Sequence, residues 1–306
     1  MSGPVQDETG PDAEVAPEAP RVVRGRRTEV GGLPIARVLP TKGRRTVGPW
    51  CFVDLMGPAD GEDPDPMEVG AHPHTGLSTV TWLLEGEAVH RDSLGTEQAL
   101  RPGQLNLMTA GGGISHSELG TSGGRFAGVQ LWVAQPDDTR HADPAFEHHG
   151  ELPEVEGPGL RGTVLVGEVL GATSAARADT PMVGVDLRLE SGLSSLPLEA
   201  TFEHALVPLD ADVAVDGHVV ARGSIALLPP GHDELPLDAL QDARVLLLGG
   251  EPFGEQVQMW WNFVARSRDE IEASWRAWAE HDGRFGKVDG PLDRIEAPVP
   301  PWVRAS

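Results

Sequence analysis

Two short motifs in this chain place metal-binding side chains two residues apart: His72-Pro73-His74 and His116-Ser117-Glu118. In an extended segment, residues i and i+2 point to the same side. Each motif therefore presents both of its side chains to one face. Two such pairs on neighbouring strands would converge on a site of three imidazoles and one carboxylate. Neutral imidazole and carboxylate are borderline donors, and they suit Fe, Mn, Ni, Cu, Zn or Co better than Mg or Ca. Four protein ligands leave up to two positions of an octahedral ion open, which is the mark of a catalytic metal. An isolated H-x-H is more often a polar strand edge, but two same-face pairs beside strand-like segments favour the metal reading.

Other residues with chemical potential are read more plainly. His90, in His90-Arg91-Asp92, is expected at the surface, the alternative being a hydrogen bond to Asp92 or a place at the mouth of a barrel. His148 and His149 lie in a polar connector and are expected in solvent. Cys51 is the single cysteine, so an internal disulfide and a cysteine-based zinc cage are both excluded. It sits between Trp50 and Phe52 and reads as a buried thiol. The run Ala110-Gly-Gly-Gly113 is followed by no Lys-Ser/Thr and is not a phosphate loop. Its glycines allow a tight turn before His116. A nucleophile elbow G-x-S-x-G is absent, which removes the support for a hydrolase triad.

The elements that must position the two motifs are strands. Short apolar runs punctuated by Gly, Pro and Asp recur from Val22 to about Val264, among them Trp50–Leu55, Ser78–Leu84, Gly128–Ala134, Gly162–Val169, Met182–Leu189, His204–Leu209 and Val245–Leu248. Their length and spacing predict an antiparallel sandwich or barrel. Arg266–His281 is different. Ser267 and Glu270 form a capping box, and Ile271, Trp275 and Trp278 fall on one helical face, read as docked core. A faint repeat links Thr81–Glu87 to Leu206–Asp212 at a shift of 125 and Gly103–Gly111 to Gly223–Gly231 at a shift of 120. Two copies of one β-barrel account for it. At those shifts His72, His74, His116 and Glu118 map onto Pro197, Glu199, Pro236 and Asp238, so the second copy carries no imidazoles. His204, His218 and His232 form no same-face pair.

Composition bounds the partners. The chain has 306 residues, 39% of them hydrophobic, and a net charge of -23. Such an acidic chain is repelled by phosphate backbones and anionic lipid, so direct nucleic-acid binding is not expected. The basic cluster Arg21, Arg24, Arg26 and Arg27 reads as a solvated stretch beside an acidic tail. No run of 18 apolar residues exists, and the first 20 residues lack the pattern of a secretory leader. A cytoplasmic location, no membrane contact and a monomer are the expectations. The domains expected are a disordered acidic tail at 1–20, a metal-binding unit at 21–150, a degenerate unit at 151–264, and a helix with its tail at 265–306.

At its motif residues the sequence resembles the pirin family. The likeness runs from Ala71 to Glu87, through His90–Gly95, Arg101–Gly103 and Met108–Glu118, more weakly through Leu131-Trp132 and Gly249–Gly254, and again at Gly283–Gly286. The resemblance implies a bicupin, two antiparallel jelly-roll-like β-barrels in tandem with a short C-terminal helix. It implies a metal, usually iron, on His72, His74, His116 and Glu118, with the second cupin degenerate. Bacterial pirins are associated with quercetin 2,3-dioxygenase activity, and eukaryotic relatives are iron-binding transcriptional co-regulators. The family usually has Glu where this chain has Ser78, which alters the surroundings of the ligands. The expected activity is a dioxygenase using O2 on a flavonol-like or other enolic aromatic substrate, with Glu118 as both ligand and general base. The alternative is a non-catalytic, metal-bearing regulator acting through a protein partner.

Overall fold

The computed structural model describes residues 18–57, 67–121 and 125–303. The disorder expected of residues 1–17 lies outside them. Residues 18–20 are described, and here the expectation of a free tail is corrected. Pro20 is buried, and the carbonyl of Glu18 lies 3.0 Å from His232 Nε2.

The apolar runs form strands close to their expected bounds, for example Trp50–Met56, Leu77–Glu85, Ala127–Ala134, Met182–Leu189 and Ala243–Gly250. They build two similar halves, each a seven-stranded sheet facing a four-stranded one. The halves are the two jelly-roll-like units expected, each built as a sandwich of two sheets that do not close into a barrel.

Side-chain alternation shows which face of each large sheet meets the other. On Ala127–Ala134, Val129, Leu131 and Val133 point toward the other half, whereas Gln130 and Trp132 point into their own sandwich. On Ala243–Gly250, Leu246 and Leu248 meet the first half, whereas Val245 and Leu247 fill the second. The two large sheets therefore pack back to back. Two tryptophans pin the contact. Trp50 Nε1 donates to the carbonyls of Val183 and Gly249, each at 3.1 Å, and Trp82 Nε1 donates to Asp186 Oδ2 at 2.8 Å.

One edge strand crosses between the halves. Arg21–Arg24 does not join the N-terminal sheets with which the sequence groups it, but pairs with Ser224–Leu228 in the second large sheet. Ala145–His149 pairs with Leu105–Thr109 in the first. Gly25 is the crossover between sheets. A Cβ there would stand 2.8 Å from the Gly223 carbonyl and 2.9 Å from that of Arg37, so only glycine fits. The cluster Arg21, Arg24, Arg26 and Arg27 is exposed on these edges, where charge discourages strand addition by another molecule.

The helix is Arg268–Ala279, with Ser267 as N-cap accepting from Glu270 N. Ile271 and Trp278 are buried and Trp275 is partly buried, packed on Phe263 and Phe285, as the stripe predicted. The segment after the second sandwich thus returns to the first.

Leu131 sits at the centre of the contact between the halves and is fully buried. Leu131→Ala should destabilise the chain by about 2–5 kcal/mol through lost burial and the cavity left behind. Chemical denaturation checks this.

Candidate metal centre

The site lies on the inner face of the first small sheet, whose strand order is Glu68–His74, Ile114–Gly120, Ala88–Asp92, Glu97–Leu100. Antiparallel register sets its rows. His116 is opposite His72 on one side and Asp92 on the other. Glu118 is opposite Val69 and His90, and Ile114 is opposite His74. Directly opposed residues share a face, and so do residues two apart. Six polar side chains of the motifs His-Pro-His, His-Ser-Glu and His-Arg-Asp therefore form one plate. Gly76, at φ +68, turns the chain sharply after His74, and a Cβ there would stand 2.3 Å from the Val264 carbonyl.

The imidazoles converge. The ring centroids of His72, His74 and His116 are 4.4–5.0 Å apart, and one ring nitrogen of each lies within 4.8 Å of the other two. His72 Nδ1 donates to the Gly70 carbonyl at 2.8 Å, and His74 Nδ1 donates to the Asn262 carbonyl at 3.1 Å. A carbonyl can only accept, so the hydrogen-bond pattern assigns the Nδ1–H tautomer to both rings and leaves each Nε2 a bare lone pair. His74 Nε2 faces His116 Nε2 at 3.0 Å. Two nitrogens each about 2.1 Å from one ion and at right angles stand roughly 3.0 Å apart. The donor set fits a divalent transition metal.

Burial holds these rings neutral. It lowers the pKa of His72 to about 4, with His90 adding to the shift and the Gly70 hydrogen bond opposing it. It takes His74 and His116 well below the ordinary histidine range, with the neighbouring imidazoles adding to the effect. Burial raises the pKa of Glu118, against the field of His90 and a hydrogen bond from Thr81. Glu118 is buried beside His116 and His90 and accepts from Thr81 Oγ1 at 3.3 Å. Thr81 Oγ1 also lies 3.0 Å from Gln130 Oε1.

In front of the plate is a cavity of ≈ 460 Å³ between the two sheets of the first half. Leu33, Ile35, Phe52, Met56 and Trp132 give it apolar walls, and Trp261 comes from the returning C-terminal segment. Phe52 and Trp132 stack at 4.0 Å, and Trp132 meets His74 edge-on at 5.2 Å. Arg37 lies over Phe52 at 4.3 Å and grips Asp54 through two hydrogen bonds of 2.8 and 2.7 Å.

His72, His74 and His116 thus converge, Glu118 groups with His116 and His90 beside them, and all four expected ligand residues line the cavity. His90 does not lie at the surface as expected. It is 4% exposed, stacked on Phe146 at 4.6 Å and bonded to Asp92 at 3.2 Å. The ring is apolar enough on both faces to be buried once its nitrogens have partners. His148 and His149 are half-buried and not free in solvent: His148 bonds Asn106 on the neighbouring strand and His149 bonds Glu147 on its own. Ser78 does not border the ligands. Its hydroxyl bonds Thr109 at 3.3 Å, on the face of its strand that carries Val80 and Trp82, opposite Thr81. Cys51 is buried and unpaired, its thiol pushed up to about 12 by burial. In the second half, Pro236 pairs with Ser195 and Glu234 with Pro197. The register therefore matches His72 to Ser195 and His74 to Pro197, two residues from the match expected, and imidazoles are still missing. Sequence reasoning overlooked Thr81, Gln130 and the Asn262 carbonyl, whose roles depend on contacts across sheets and carry no local pattern.

The buried imidazoles give the metal-free protein a definite acid response. Between pH 6.5 and about 4 the unfolded chain takes up protons on histidines that the folded chain keeps neutral. Stability then falls as pH falls, by about 1.4 kcal/mol per pH unit for each such histidine. Glu118 acts in the opposite sense but is one group against three. Calorimetry should show the metal-free melting temperature dropping between pH 6.5 and 4.5, with a shallower drop in His72→Gln. A flat profile would contradict buried neutral rings.

Comparison with known proteins agrees with this architecture. Residues 32–133 match the Pirin family model, and residues 184–286 match the Pirin C-terminal cupin domain. A Pseudomonas aeruginosa protein provisionally named a quercetin 2,3-dioxygenase is 45% identical over 286 residues, 92% of this chain and 90% of that one. The crystal structure of a quercetin 2,3-dioxygenase from Acinetobacter baumannii superposes with a TM-score of 0.87 at 42% identity, covering 94% of this chain and 97% of that one. A bacterial pirin from Escherichia coli, in complex with nickel(II), shares the fold at a TM-score of 0.60 and 20% identity, over 76% of this chain and 100% of that one. With both of its halves matched in order, and with the polar plate inside the first match, this chain belongs to the pirin family.

Proposed function

We propose that the protein holds one divalent transition metal, iron in the reading favoured here, on His72, His74, His116 and Glu118. We propose further that it is a dioxygenase acting on flavonol-like or other enolic aromatic substrates. One observation carries this reading: three neutral imidazoles, with their tautomers set, converge beside a carboxylate at the wall of an aromatic-lined cavity. The cavity lies within the range of about 300–1,000 Å³ usual for small-molecule sites. The names of the Pseudomonas and Acinetobacter relatives support the same substrate class. Among the described residues no helix is long and apolar enough to cross a membrane. The reading places the protein in the cytoplasm as a monomer, with O2 and a small aromatic molecule as its reactants.

Bound there, the metal supplies Lewis acidity toward an enolic hydroxyl and one-electron chemistry toward O2. The protein's residues do the rest. The Trp132–Phe52 stack offers a flat wall for an aromatic ring. Glu118 accepts the hydroxyl proton, and the burial that raises its pKa brings it closer to working pH, where a base is most effective. Thr81 donates to Oε1 and fixes the direction of the carboxylate. Asp54 neutralises Arg37, so the far wall offers hydrogen bonds without a net charge. The apolar walls exclude bulk water from the reacting edge.

Glu118→Gln keeps size and an oxygen donor but loses charge and basicity. If Glu118 is the base, the variant should retain appreciable metal while O2 uptake with a flavonol falls about 10²–10⁴-fold. Recovery of activity in excess metal would show that Glu118 is only a ligand. His116→Ala should lose most bound metal by elemental analysis, and His218→Ala, at an exposed position, should lose none. No O2 uptake by the fully loaded wild type with any flavonol would favour the metal-bearing regulator that acts through a protein partner.

A further inference from the structure

His90 and Asp92 have no part in the proposed ligand set, yet both are buried beside it on the same plate, where His90 groups with His116 and Glu118. Asp92 is 2% exposed and opposite His116 in register, and His90 is opposite Glu118. His116 Nδ1 lies 3.3 Å from His90 Nδ1, and His90 Nε2 lies 3.2 Å from Asp92 Oδ2. The other carboxylate oxygen, Oδ1, is occupied by the backbone N–H groups of Leu94 and Thr96 at 2.9 and 3.1 Å. Burial pushes the Asp92 carboxyl up, but the hydrogen bonds from His90 and Thr96 outweigh it and hold the group below its ordinary value.

We infer that Asp92 and His90 are positioning residues that fix the tautomer of His116 through a two-step hydrogen-bond chain. The inference rests on the metal reading above. The direction of the chain follows from what each atom can do. A carboxylate oxygen only accepts, so His90 must carry its proton on Nε2 and donate it to Asp92. Neutral His90 is then an acceptor at Nδ1. His116 must therefore carry its proton on Nδ1, and its Nε2 lone pair is left facing His74 Nε2. His72 and His74 reach the same tautomer through backbone carbonyls, whereas His116, in the centre of the sheet, reaches it through a second imidazole. Phe146, stacked on His90, keeps that ring from turning away. An outer partner of this kind sets the ring orientation of a metal-bound histidine and increases its donor strength.

The arrangement makes Asp92→Asn a directed test. Oδ1 is held by the amides of Leu94 and Thr96, so the new NH2 must take the place of Oδ2. It then donates to His90 Nε2, which forces the His90 proton onto Nδ1. That proton faces His116 Nδ1 and makes it an acceptor, moving the His116 proton to Nε2, where the metal should sit. The loop survives in this variant because its oxygen remains. His90→Phe keeps the stack on Phe146 but removes the acceptor. His90→Asn puts an amide oxygen near the Nδ1 position and should restore it.

Two measurements decide the matter. Long-range 1H–15N spectra of metal-free, 15N-histidine-labelled protein should report the Nδ1–H tautomer for His116 in the wild type and in His90→Asn. They should report the Nε2–H form or a mixture in Asp92→Asn and His90→Phe. Co(II) affinity by chelator competition should be about 10–100-fold weaker in those last two variants and near wild type in His90→Asn. An unchanged tautomer with unchanged affinity in Asp92→Asn and His90→Phe would overturn the inference. Loss of Co(II) in His90→Asn as complete as in His116→Ala would also overturn it, by making His90 itself a ligand. A wild type that takes up no Co(II) defeats the metal reading alone, and the tautomer spectra then decide the chain by the same criterion.

Discussion

The site, and each segment that holds it, depends on keeping three imidazole lone pairs neutral and aimed at one point. Left alone, His74 Nε2 and His116 Nε2 at 3.0 Å would repel, and burial forbids the simple remedy of protonating them. The arrangement persists because each ring is held from behind by a group that cannot move independently. Gly70 belongs to the same strand as His72, Asn262 belongs to the segment that returns from the second half, and His90 is anchored on Asp92. The C-terminal segment is therefore part of the site, although more than 180 residues separate Asn262 from His74 in the sequence. The helix Arg268–Ala279 contributes by docking Ile271 and Trp278 on Phe263 and Phe285. That packing fixes the strand Phe263–Ala265, and Val264 N then bonds the Thr75 carbonyl next to His74.

The second half acts as a brace. Its interior, where the first half has its polar plate, is filled by Leu196, Leu235, Leu237, Val213 and Val215. A largely apolar core needs no metal to be stable, and its large sheet lays Leu246 and Leu248 against the first half. The edge strand Arg21–Arg24, paired with Ser224–Leu228, ties the start of the first half to the second half's sheet. Separating the halves would break that backbone ladder as well as expose the apolar contact between the large sheets.

Much of this was legible in the sequence, because period-two patterns report directly on faces. The strands Leu77–Glu85 and Ala127–Ala134, the capped helix, the repeat and the four residues His72, His74, His116 and Glu118 all follow from local spacing. What escaped was set by pairing between distant strands. His90 is polar and lies near an acidic turn, so local sequence places it outside; only its register opposite Glu118 brings it in. The same holds for Ser78, whose strand parity points it away from the ligands, and for Arg21–Arg24, whose partner strand lies some 200 residues away. The offset between the repeats was misjudged by two residues in the His72 strand because alternation preserves the face at every even shift.

The two halves show how little of the frame chemistry requires. They share strand order in both sheets, yet one face carries His72, His116 and Asp92 in a row where the other carries Ser195 and Pro236. Burying the first row costs desolvation, which falls chiefly on His72, His74 and His116. The second row carries no such cost. A frame that folds with either row must owe its stability to the back-to-back sheets and not to the site. The polar plate can then be tuned for its ligand, with its strain held by the apolar layers behind it.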